Sequence, residues 1–106
     1  MVADRMDVCE FAALVDRQTV KYITDDYPIL VVRDGDRVRA FRAFCTHQGM
    51  EIMASGIRGS RVTCARHGWQ FEMPDGRCLF GEKWSLKELP ARVIEGRVIV
   101  EWPADE

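Results

Sequence analysis

Residues 44–71 read FCTHQGMEIMASGIRGSRVTCARHGWQF, and the rest of the chain is arranged around them. The stretch presents Cys45-Thr46-His47, then sixteen residues, then Cys64-Ala65-Arg66-His67. Each short segment contributes one thiol and one imidazole, side chains that bind iron and zinc. A structural zinc finger usually places two cysteines at one end and two histidines at the other, whereas mixed pairs suit two metal ions side by side. The chain has two histidines in all, and both fall in this pattern.

The flanks predict an all-β fold. Thr19–Thr24 (TVKYIT) and Pro28–Arg33 (PILVVR) are rich in β-branched residues, and Arg37–Phe44 (RVRAFRAF) alternates polar and apolar. Asp34-Gly35 between the last two is a hairpin signal, with glycine supplying the positive φ of the turn. Short strands are expected over Arg61–Thr63 and Trp69–Met73, with Pro74-Asp75-Gly76 as a turn. Ala91–Glu95 and Arg97–Trp102 form a C-terminal hairpin around Glu95-Gly96, and a helical turn is expected over Glu10–Asp16. Many short strands with almost no helical periodicity predict a small antiparallel β-sandwich with a metal-binding subdomain of two loops.

Length and charge narrow the function. With 106 residues, the expectation is one domain spanning 1–106, whose binding segment covers about 44–71. The net charge is −2, split as −2 over residues 1–41, +3 over 42–67 and −3 over 68–106. A nucleic-acid partner would need a basic excess, so none is expected. No apolar run approaches the roughly 18 residues of a membrane span, and no secretory signal opens the sequence. A cytoplasmic location follows, where the four cysteines imply ligation or buried thiols before disulfides. Arg42, Arg58, Arg61 and Arg66 are candidates for a patch that steers an acidic partner.

The ligand pattern closely resembles the Rieske family. That resemblance implies a β-sandwich holding one [2Fe-2S] cluster, with Cys45 and Cys64 on the inner iron and His47 and His67 on the outer iron near the surface. Neutral imidazoles in place of two thiolates leave the oxidised cluster uncharged and ease its reduction. Respiratory and photosynthetic Rieske proteins carry an extra cysteine in each loop, and here Met50 and Arg66 stand in those places, so no disulfide clamp is expected. Those proteins also place hydroxyl side chains where this sequence has Trp69 and Phe71, which implies a potential near the lower end of roughly −150 to +300 mV.

Both histidines are used by the cluster, so none remains for a mononuclear iron site. The resemblance therefore implies a Rieske ferredoxin, not an enzyme: a one-electron carrier from an NAD(P)H-dependent reductase to a terminal oxygenase. Gln48, Trp69 and the spacing from His67 to Leu89-Pro90 resemble the ferredoxins of toluene 4-monooxygenase-like multicomponent systems. His67-Gly68-Trp69 with Pro74-Asp75-Gly76-Arg77 reads more like Rieske domains linked to aromatic-ring dioxygenases, the alternative. A structural zinc-binding interaction domain is a more remote one. Transient contact with reductase and oxygenase, a monomeric state, no small-molecule substrate and no membrane partner complete the expectation.

Around the ligands, Gln48 and Gly49 are candidates to keep the first loop close to the cluster sulfides, and Trp69 to cover the outer edge or pack in the core. Met50, Ile52 and Met53 read as an apolar cap over the first loop. Cys9 reads as a core thiol, and Cys78, without a partner at ligand spacing, as a free or buried one.

Overall fold

The computed structural model describes residues 4–24, 27–45, 50–64, 68–73, 75–79 and 85–102. Its centre is strand β3 (Tyr27–Asp34), where five consecutive residues, Pro28 to Val32, are buried. A strand apolar on both faces must lie between two layers, and this one does. It pairs antiparallel with β2 (Thr19–Thr24) and β4 (Arg37–Arg42), and β11 (Glu88–Leu89) extends the sheet beyond β4.

The alternation of β3 and β4 divides the interior in two. Ile29, Val31, Val38 and Ala40 face one side. They pack on an outer sheet of β1 (Asp4–Glu10), β13 (Arg97–Trp102) and β12 (Ala91–Ile94), through residues such as Met6, Val98 and Val100. Leu30, Val32, Phe41 and Ala43 face the other side. There they meet a sheet of four short strands, β7 (Ile57–Arg58), β8 (Arg61–Thr63), β9 (Gln70–Glu72) and β10 (Arg77–Cys78). Burying one side chain of the size of Phe41 or Phe71 stabilises the fold by about 1.5–3 kcal/mol.

The predicted antiparallel β-sandwich is thus present, with a shared middle sheet. The expected strand over Arg37–Phe44 is two strands, because the chain bends at Ala43 and leaves the sheet. The Ala43 amide donates to the Pro28 carbonyl, and its own carbonyl accepts from Ile52. Beyond the bend, β5 (Phe44–Cys45) pairs with β6 (Met50–Glu51) as a separate two-stranded unit. The expected helical turn is a 3-10 turn at Phe11–Ala13. The β3–β4 hairpin turns at Gly35-Asp36 between the paired Asp34 and Arg37, one residue later than Asp34-Gly35 suggests. Gly35 has φ 63° in the first central position, which is the type II′ arrangement. The C-terminal hairpin closes on Ile94 and Arg97 around Glu95-Gly96 as expected.

Candidate metal centre

Cys45 is the last residue of β5, and the ladder places it opposite Met50, with residues 46–49 between them. Cys64 directly follows β8, and its amide donates to the Trp69 carbonyl at 2.8 Å, with residues 65–68 between them. The two cysteines therefore occupy similar positions: Cys45 ends β5, Cys64 immediately follows β8, and four residues separate each from its ladder or hydrogen-bonded partner, Met50 or Trp69. Each loop sequence, THQG and ARHG, contains one histidine and ends on glycine. Gly68 adopts φ 70° and its amide donates back to the Cys64 carbonyl at 2.9 Å. Any side chain with a Cβ would be strained in that left-handed conformation.

Both thiols are fully buried and belong to one apolar core together with Ile52, Val62 and Phe71. None of the four cysteines is in a disulfide. Inert core thiols need no such matched loops, and two buried sulfurs at loop mouths fit thiolate ligation, in which a metal offsets the charge that burial alone would penalise. The donor set fits a [2Fe-2S] cluster: two sulfurs inside and two imidazoles in the adjoining loop sequences. His47, His67, Gln48 and Gly49 lie outside the described residues. Accordingly, no group of three or more metal-binding side chains occurs among the described ones.

Trp69 is half-buried and packs against the core that contains Cys45 and Cys64. Phe71 is fully buried in that core and brings no hydroxyl to it. Cys78 is buried there too, and Cys9 is half-buried against the opposite core. The predicted apolar cap is only partly present: Ile52 is buried, Met53 is 51% exposed, and the Met50 side chain is not described. Of the candidate steering arginines, Arg58 and Arg61 are cross-strand partners on β7 and β8. The Arg42 guanidinium stacks 4.5 Å over the Trp102 ring, and Arg61 is bonded to Glu72 at 2.9 Å. Arg58 is exposed, and Arg66 lies outside the described residues. The Arg61 guanidinium holds the Glu72 carboxyl below its ordinary value.

Two supports were not legible in the sequence. Gly56, at the end of a 3-10 turn (Ala54–Gly56), packs so close to the Thr63 carbonyl that a Cβ there would overlap it. Thr63 precedes Cys64. The second is the pair of Lys21 on β2 and Glu51 on β6, joined at 2.6 Å across the sheet boundary. Only the inverted alternation of TVKYIT, with Thr19 and Lys21 on the face of Leu30, hints at it.

Residues 4–90 match the Rieske [2Fe-2S] domain family. The chain belongs to that family. Membership indicates one Rieske-type [2Fe-2S] cluster, in keeping with the two buried thiols. Among curated relatives, a cholesterol 7-desaturase of Hemicentrotus pulcherrimus is 34% identical over 87 residues, which is 76% of this chain and 18% of that protein. A second, from Xenopus laevis, is 31% identical over 77 residues, 65% of this chain and 17% of that protein. The chain spans less than a fifth of the length of the curated relatives it matches. Among solved structures, a Mycobacterium tuberculosis protein assigned as an NADH-dependent nitrite reductase small subunit superposes with TM-score 0.70 at 28% identity, covering 98% of this chain and 99% of that one. The ferredoxin of carbazole 1,9a-dioxygenase from Nocardioides aromaticivorans shares the fold at TM-score 0.68 and 21% identity, covering 91% of this chain and 95% of that one. Among the described residues, no helix is long and apolar enough to cross a membrane.

Proposed function

We propose that this Rieske chain is a one-electron carrier, a single domain over residues 1–106, that passes electrons from an NAD(P)H-dependent reductase to the terminal oxygenase of a multicomponent aromatic monooxygenase. The observation that carries the electron-transfer part is the matched pair of buried cysteines, Cys45 and Cys64, each opening a four-residue loop whose sequence holds one histidine.

In this reading Cys45 and Cys64 hold the inner iron and His47 and His67 the outer one. When bound, the cluster supplies a one-electron couple. The chain's own work is to keep water from the two thiolates by burying them, to fix their separation by two closed hairpins, and to present the histidine loops to a partner. Within these residues both histidines would be taken up by ligation, which supports an electron-transfer role for the domain. The carrier acts as a monomer and meets its partners transiently, as small redox complexes do.

A second reading has its own support. The relative at 28% identity matches end to end and is assigned as a nitrite reductase small subunit, which favours a subunit delivering electrons within a reductase. A ferredoxin for an aromatic-ring dioxygenase is a third. The deciding experiment reduces the purified protein and measures multiple turnover with a diiron monooxygenase, a mononuclear-iron dioxygenase and a nitrite reductase catalytic subunit. Product from the diiron enzyme alone is the expected result. Product only from the nitrite reductase would replace the proposal with the second reading. A colourless protein containing zinc and no labile sulfide would overturn both.

A further inference from the structure

The Lys21 ammonium on edge strand β2 bonds the Glu51 carboxylate at 2.6 Å, and its side chain is only 8% accessible. A lysine is rarely buried to this degree without a charged partner. Its direction is informative. Lys21 stands opposite Leu30, which stands opposite Phe41, so all three lie on the face of the middle sheet turned toward Cys45 and Cys64. Glu51, at the other end of the bond, is cross-strand from Phe44 and next to Met50, the partner of Cys45.

The hairpin that carries Cys45 is a two-stranded unit of two residue pairs. Such a hairpin is marginal alone and needs outside support. Among the described residues, the Ile52 amide adds a further rung by donating to the Ala43 carbonyl at 2.8 Å, and the Ala43 amide ties the hairpin's base to the middle sheet through the Pro28 carbonyl at 3.0 Å. The Lys21–Glu51 pair is a side-chain tie from the middle sheet to the same hairpin.

We propose that Lys21, together with Glu51, is a determinant of the cluster's reduction potential. This inference rests on the ligand assignment above. Reduction adds one negative charge to the cluster, and the two members of the pair bias that step oppositely. The ammonium favours the reduced form and the carboxylate the oxidised form, and in the partly buried setting the bias is weakly screened. While both are present the effects largely cancel. Removing one uncovers the other.

The test is a cycle on the cluster-loaded protein: Lys21→Met, Glu51→Gln and the double variant, with Lys21→Arg as the conservative control. The readouts are the midpoint potential, iron per chain and the spectrum of the reduced cluster. Lys21→Met should lower the reduced-to-oxidised ratio at fixed potential about threefold, near 30 mV on the one-electron scale of 59 mV per tenfold. Glu51→Gln should shift it by a similar factor the other way. The double variant and Lys21→Arg should lie close to the unmodified protein. Loosening of the hairpin alone would move both single variants in the same direction and lower their iron content, and that result overturns the electrostatic role. Unchanged potentials with full iron overturn the proposal as a whole. An unmodified protein without a cluster signal would instead refute the ligand assignment.

Discussion

The Thr63 carbonyl fills the space that a side chain on Gly56 would need. The contact joins the turn that ends the 44–56 segment to the strand leading into Cys64, so the geometry of one ligand loop depends on a glycine eight positions upstream. Replacing Gly56 by alanine forces backbone apart. An overpacking cost of about 1–3 kcal/mol is expected, together with reduced iron per chain. Denaturant unfolding and iron assay on the same preparation check both; an alanine variant of full stability and iron content would show that the approach is not constraining.

The three cysteines of this core, Cys45, Cys64 and Cys78, should separate cleanly in their effect on metal. Serine at Cys45 or Cys64 should abolish iron and labile sulfide, and alanine at His47 or His67 should do the same. Cys78→Ser should keep its iron while losing about 1–3 kcal/mol of stability, because a hydroxyl enters the apolar core beside Phe71. Loss of the cluster in Cys78→Ser would add a third thiol to the site.

Gly68 tests the hairpin closure independently of the ligands. With φ at 70° and open space around it, alanine there is opposed by conformation and not by crowding. A penalty of about 1–2 kcal/mol is expected for Gly68→Ala, and less for Gly68→Asn, since asparagine tolerates the left-handed region better. Equal stabilities of the two variants would count against the strain.

Alkaline pH should reveal the opposite core. Burial first, and then a hydrogen bond and charge interaction with Cys9, push the Tyr22 phenol up to about 12. The unfolded value is about 10. A raised folded value means that the contribution to stability is complete below pH 10 and is lost as pH rises from 10 to 12. Unfolding followed across that window should show the decline, and Tyr22→Phe should flatten it. A decline of the same size in the phenylalanine variant would assign it to other groups.

The absence of hydroxyls at Trp69 and Phe71 sets the expected potential. Phe71 sits wholly inside the core that includes both proposed ligands, Cys45 and Cys64. No phenol is available there to bond a cluster sulfur, so the midpoint should fall below zero, within the lower part of the Rieske range. A positive midpoint by protein-film voltammetry would require another donor.

What the sequence disclosed followed from periodicity and side-chain chemistry. TVKYIT is a strand at the predicted bounds, and the C-terminal hairpin turns where Glu95-Gly96 demands. The paired cysteines were legible because few structures need that residue type at that spacing. Strand β1 was not, since its alternation is broken by a bulge between Asp7 and Cys9 that resets the inward-facing positions. Strands β10 and β11 are two residues long and too short to carry any period. PILVV announces a strand buried on both faces, yet which sheets cover it depends on contacts with residues more than sixty positions away, such as Val98. Lys21 and Glu51 are thirty residues apart and match no local pattern, so only the folded chain joins them.

The shared middle sheet gives the molecule a means of reporting on itself. Leu30 and Val31 are neighbours on β3, yet one side chain belongs to the metal-side core and the other to the far core. Cofactor held on one side therefore raises the free energy of opening on both, since ligand binding to the native state stabilises every cooperative unit coupled to it. Amide exchange at Val98 or Val100, residues of the far core, should slow on cluster loading and so serve as a remote gauge of occupancy.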